Sequence, residues 1–200
     1  MFSRARHIGT GAVLLLLLSV SWAQSDYPQE RNQPWDISAW VAGATGQENS
    51  HSYTQTQILS GGVFVGRPVT GDIGGGWLRG NLEYGFSVGP LFVQFAPVRT
   101  YGGGFEPVVL RWNSGVRRGR LAPFIEVGGG GLFSNKNLPP VNSSQVNFTA
   151  RAGAGVQILT QRHRAVDIGC RWSHISNANL GTQNPGFNGV QVSLAYHWFR

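Results

Sequence analysis

One cysteine, Cys170, stands in a chain of 200 residues. An intrachain disulfide is therefore excluded. A small exported domain that usually leans on several bridges must be held together differently. Charge is also scarce, with Asp, Glu, Lys and Arg making up 12 percent. Lysine is nearly missing: beyond the leader, Lys136 is the only one. After residue 23 no hydrophobic run approaches the ~18 residues of a helical span, so a membrane helix in that part is excluded. No His or Cys cluster has metal-ligand spacing, and no metal or other cofactor is expected. Glycine runs do occur, in GGGW and VGGGG, but outside any P-loop or dinucleotide-binding context. The basic residues are spread over turns and form no stripe, which argues against a nucleic-acid partner.

What is present begins with a leader. Arg4 and Arg6 precede an apolar stretch from Ile8 to Val20, and Ser21-Trp22-Ala23 has the small-x-small form of a cleavage site. Residues 1–23 are thus expected to be a secretory signal peptide, and 24–200 one exported domain. Removing Arg4 and Arg6 from the 16 basic residues leaves 14 against 9 acidic, a surplus of five. Glycine at 29 residues and aromatics at 12 percent, with so little charge, suit an all-β protein of the outer-membrane kind.

Eight strand-like segments follow a polar lead, at about 35–43, 55–66, 77–90, 101–113, 120–133, 146–159, 165–176 and 189–199. GRPVTGDIGGG, NSGVRRGR, KNLPPVNSS and LTQRHRA separate them with turn chemistry. Alternation is clearest in the last two. Val166, Ile168, Cys170, Trp172, His174 and Ser176 share one face of the seventh, and Asp167, Gly169, Arg171 and Ser173 share the other. A soluble β-sandwich would turn the apolar face inward, and a membrane barrel would turn it to lipid. Arg and Asp on the opposite face, and aromatics at strand ends, favour an eight-stranded antiparallel transmembrane β-barrel. An even strand number closes the sheet and removes the edges that lipid does not tolerate. With a periplasmic N-terminus, His174 and Ser176 fall at the outer end of strand 7, facing lipid. Asn188 opens strand 8 with the same parity, so antiparallel pairing brings it beside them.

His174 and Ser176 lie one pleat repeat apart, roughly 6–7 Å at Cα, close enough for their side chains to meet. A base, a nucleophile and donors for an oxyanion are what ester hydrolysis requires. Asn177 follows at once as a donor, and Gly181, Pro185 and Gly186 shape the connecting loop. Alone, H-x-S-N is a short pattern, equally at home as a hydrated strand end. Asp167 and Glu126 are the other acids weighed: Asp167 has lumen-facing parity near the periplasmic end of strand 7, and Glu126 sits in strand 5, across the barrel. His51 and His197 show no pairing in the sequence.

HISNANLGTQNPGFNG, however, resembles the carboxy-terminal motif of the PagL-type lipid A 3-O-deacylases, often labelled acyloxyacyl hydrolases. FVGRPVT, LRGNLEYGFSVGPLF, TYGGGFEPVVLRWN, APFIEVGGGGLFSN and NFTARAGAGVQ look like successive blocks of that family. The resemblance implies an eight-stranded outer-membrane barrel that hydrolyses an acyl ester of lipid A without a cofactor. Its partners would be lipopolysaccharide in the outer leaflet and the surrounding membrane lipids. By that resemblance His174 is the general base, Ser176 the nucleophile and Asn177 the oxyanion residue. The family's usual third member is a Glu twelve residues after the Ser; here that position is Asn188. The rival reading that this departure keeps open is a non-catalytic barrel, structural or lipid-binding.

Overall fold

The computed structural model describes residues 35–46, 56–138, 143–161 and 163–200. The proposed signal peptide and His51 lie outside the described residues. Eight antiparallel strands close into a barrel in simple sequence order. They are β1 (Asp36–Gly46), β2 (Gln57–Pro68), β3 (Gly80–Ala96), β4 (Thr100–Ser114), β5 (Leu121–Leu138), β6 (Ser144–Gln161), β7 (Arg164–Ser176) and β8 (Phe187–Phe199). Closure is made by β1 on β8, from Asp36 opposite Phe199 to Gly46 opposite Gly189. No strand edge is left unpaired, as a lipid-embedded sheet requires.

Burial decides between barrel and sandwich. A sandwich would bury its large apolar side chains. Here Ile125 is 58% exposed and Val192 57%, while Asp167 is 3% exposed and His197 1%. The pleat turns the apolar residues outward and fills the interior with charge, an arrangement that is stable only in lipid. Tyr84, Trp112, Tyr196 and Trp198 mark one rim of the outer surface, toward the chain termini. Phe95, Tyr101, Phe133 and Phe148 mark the other, distal rim.

The interior charges pair with one another. Arg151 contacts Glu106 and Glu126, and Arg171 contacts Glu126 and Ser193. Nearer the termini, His197 is held between Asp36 (2.7 Å) and Asp167 (3.0 Å), and Asp167 also pairs with Arg111. The lumen position expected for Asp167 is thus correct, and Glu126 lies in the lumen as well. His197 is not unpaired as the sequence suggested. Its partner Asp36 is 161 residues away and arrives only through β1–β8 closure.

At the distal end the interior turns apolar. Ile58, Phe92, Leu132, Leu138, Ile175 and Phe187 form a buried plug. Ile175 and Phe187 are register partners, so the plug sits directly behind the distal ends of β7 and β8.

β5 runs on from the expected 133 to Leu138, and the other large differences are in β3. Its expected start at residue 77 falls in a short 3-10 turn, Gly76–Leu78, and the strand begins at Gly80. Its expected end at 90 falls short, and the strand continues past Pro90 to Ala96. Proline interrupts a ladder only where an N–H is needed, and the register shifts between Gly89 and Phe92, at a bulge that needs none.

Candidate active site

The end of β7 and the start of β8 place three polar side chains on the lipid-facing surface. His174 lies opposite Asn188 in the ladder, and Ser176 lies opposite Phe148 of β6. Their inward neighbours, Ile175 and Phe187, are anchored in the apolar plug. The polar residues thus stand on a backbone fixed from behind by packing.

His174 and Asn188 are joined directly, Nδ1 to Oδ1, at 2.8 Å. An amide oxygen only accepts, so Nδ1 carries the proton. Nε2 is then left with its lone pair, in the form a general base needs. Trp172, one repeat earlier on the same face, stacks on the imidazole with centroids 5.7 Å apart and planes 12° apart. Sequence reasoning placed Trp172 on this face but gave it no role. The signal was present in the aromatic two residues before the His. Ser176 shares a face with His174 one pleat repeat on, and the imidazole's hydrogen-bond partner is Asn188.

Asn177 occupies a different situation from its two neighbours. It points inward and is 1% exposed. Its backbone N–H donates to Asn184 Oδ1 (3.0 Å), and its Nδ2 donates to Gln183 O (2.8 Å). Its Oδ1 accepts from the N–H of Asn179 (2.9 Å), and its carbonyl accepts from Leu180 (2.9 Å). Ala178 and Asn179 follow with φ of 49° and 64°, left-handed values that the short polar Asn tolerates best. Asn177 is therefore the hub of the β7–β8 loop. Of its side-chain and backbone N–H, the two donors that the sequence offers an oxyanion, the loop already uses the backbone one. One side-chain N–H remains.

The expected loop-shaping residues do shape it. Gly186 has φ of 64°, open to glycine. A Cβ on Gly181 would lie 2.8 Å from Asn177 Nδ2 and 2.9 Å from Ser143 O, too close for any other residue.

A histidine held by an amide oxygen and a serine one pleat repeat on thus share the lipid-facing surface. The model of the PagL family, lipid A 3-O-deacylase, matches residues 18–197. The chain belongs to that family. The crystal structure of the outer membrane enzyme PagL is similar in fold, with a TM-score of 0.58 and 20% identity, covering 80% of this chain and 97% of that one. Neisserial surface protein A (NspA) is similar to the same degree, with a TM-score of 0.59 and 12% identity, covering 83% of this chain and 97% of that one. No curated protein matches the sequence. PagL membership and the barrel place the protein in the bacterial outer membrane.

Proposed function

We propose that the protein is a serine esterase that removes an ester-linked acyl chain from lipid A, and that Asn188 serves in place of the family's acid. The observation that carries this reading is the 2.8 Å contact between His174 Nδ1 and Asn188 Oδ1. It is the bond by which a triad acid sets the tautomer and direction of its histidine.

In this reading Ser176 Oγ attacks the ester carbonyl while His174 Nε2 takes its proton. The imidazolium returns the proton to the departing sugar oxygen. Water then attacks the acyl-serine with His174 again as base, releasing the fatty acid and restoring the serine. The resemblance gives the oxyanion to Asn177, whose one remaining side-chain N–H would have to turn outward from its buried position to meet it. Asn188 holds the ring but adds no negative charge opposite the imidazolium. In a serine protease, Asp to Asn at the corresponding role lowers the rate by about 10⁴. Slow turnover is therefore part of the proposal. The stacked Trp172 face offsets some of this loss, because a π face attracts a cation.

A lipid-facing nucleophile suits a substrate whose acyl chains lie in the leaflet. The distal rim, where the site sits, faces the cell exterior when the termini are periplasmic. The chain's family and the site's position both support lipopolysaccharide as the substrate.

The reading is tested by covalent labelling. The refolded protein, in detergent, is treated with a fluorophosphonate and digested, and the adduct is mapped by mass spectrometry. An adduct on Ser176 that is lost in His174→Ala is expected. Absence of labelling from a correctly folded barrel supports the non-catalytic reading.

A further inference from the structure

The lumen charges fall into two groups. Toward the distal plug, Glu106 and Glu126 pair with Arg151 and Arg171, charge for charge. Toward the termini, three carboxylates share one guanidinium and one imidazole. Arg111 bonds Asp167, and His197 bonds Asp167 and Asp36. The third carboxylate, Glu83, makes no ion pair among the described residues. Arg111 stands opposite it in the β3–β4 ladder but reaches across the lumen to Asp167. Arg111 and His197 attract Glu83 through space, and Asp36 repels it.

Glu83 is 3% exposed. Its Oε2 accepts from Asn113 Nδ2 at 2.8 Å, but its Oε1, fully covered, has no hydrogen-bond partner. A buried carboxylate oxygen without a partner is costly. This oxygen points toward Gly66, where a Cβ would lie 2.6 Å from it. Gly66 is the register partner of Asp36 and adds no side chain between the two acids. Glu83, Asp36, Asn81, Asn113 and Gln157 line a cavity of about 20 Å³, room for one water-sized guest. Asn81 Oδ1 receives one bond there, from Asn113 at 3.3 Å. Asn81 Nδ2 donates to Asp72 Oδ1 (3.5 Å) in the β2–β3 connection, which links the lining to the termini-side rim. No group of three His, Cys, Asp or Glu side chains is placed to hold a metal among the described residues. The donors here are two carboxylates and amide oxygens, a set for hard cations.

We propose that this cavity is a binding site for one calcium ion, held by Glu83 and Asp36 with amide oxygens of Asn81 and Asn113. The ion supplies the positive charge that the termini-side group lacks and a partner for Glu83 Oε1. Calcium accepts carboxylate and amide oxygens in variable geometry, whereas magnesium keeps several waters, for which the cavity has no room. Two carboxylates favour a divalent ion over sodium. The spacing of His and Cys in the sequence could not show this site, because its donors are oxygens brought together from β1, β3 and β4. An ion there ties these strands across the lumen and holds Asp36 at the β1–β8 seam. The inference is independent of the chemistry at Ser176.

The test uses the full mature barrel, refolded in a zwitterionic detergent and stripped of divalent ions with EDTA. Calorimetric titration with calcium chloride is expected to show one ion per barrel. The urea midpoint of the folded band is expected to rise with calcium, because an ion bound by the folded state alone stabilises it. Glu83→Gln keeps an acceptor for Asn113 and removes the surplus charge. It is expected to weaken calcium binding about tenfold or more. Ser176→Ala is expected to bind calcium as the wild type does. A gel-mobility shift on boiling confirms that each variant is folded, and the wild-type titration stands whatever the variants do. Absence of binding to the wild type overturns the proposal and leaves Glu83 to a proton or a water. Binding unchanged in Glu83→Gln overturns it by placing the ion elsewhere. A midpoint raised equally by sodium chloride at matched ionic strength overturns it as charge screening.

Discussion

Asn188 faces His174 across the β7–β8 ladder, its Oδ1 2.8 Å from the imidazole Nδ1. One hydrogen bond thus reproduces the orienting half of a triad acid's work and omits the electrostatic half. The two halves are separable by substitution. Asn188→Glu is expected to raise kcat by about 10²-fold or more, with a ceiling near the 10⁴ seen for triad acids in proteases. Asn188→Ala is expected to lower it roughly tenfold, the worth of one orienting hydrogen bond. Steady-state hydrolysis of a purified lipid A ester reads both. A rate unchanged by Asn188→Glu would mean that imidazolium charge does not limit this site.

Trp172 stacks on the same ring from the other direction. Its removal in Trp172→Ala is expected to lower kcat by about 3- to 30-fold, spanning the range of cation–π energies from exposed to desolvated sites. KM should change little, and Trp172→Phe should recover much of the loss. Equal rates for the Ala and Phe variants would reduce Trp172 to a lipid-facing filler.

The loop hub gives a third test. Gly181→Ala drives a methyl group toward Asn177 Nδ2 and Ser143 O. Activity is expected to fall while the heat-modifiable barrel band persists, because the loop lies outside the ladder. Asn177→Asp keeps the acceptor for Asn179 and removes both side-chain donors. It should therefore lose the oxyanion contact and the Gln183 tie together, and its activity should fall below that of Gly181→Ala.

How far the sequence carried is clearest on β7 and β8. Period-2 alternation settles which side chains share a face, so His174, Ser176 and Asn188 were placed on one surface before any coordinates. Antiparallel register did the rest, bringing Asn188 opposite His174. Long-range closure was not legible in the same way. Asp36 and His197 meet only because the first strand pairs with the last, and no local pattern carries that information. The loop bonds of Asn177 were not legible for a different reason. Its neighbours share a strand, but it starts a loop, where side-chain hydrogen bonds outrank pleat parity. The run of β3 past Pro90 was not legible because it depends on a bulge, which is a property of the pair of strands and not of one.

The buried charges of the lumen make a prediction about stability. Arg111 pairs with Asp167, which also holds His197, and all three are almost fully inaccessible. Arg111→Met leaves Asp167 without its strongest partner and is expected to cost about 3–5 kcal/mol, as for other broken buried pairs. The shift in urea midpoint of the folded, heat-modifiable band measures it. Arg111→Met/Asp167→Asn should be milder than the single change. A single variant as stable as the wild type would mean that lumen water screens the pair.

The central claim is that Ser176 cleaves an acyl ester of lipid A with Asn188 holding His174. It is tested most directly by mass spectrometry of lipid A from cells producing the wild type or Ser176→Ala, with both proteins shown to be in the outer membrane. The account predicts lipid A lighter by one ester-linked acyl group in the wild-type cells alone. Identical lipid A in the two strains would contradict it and leave a barrel that keeps the family's scaffold without its reaction.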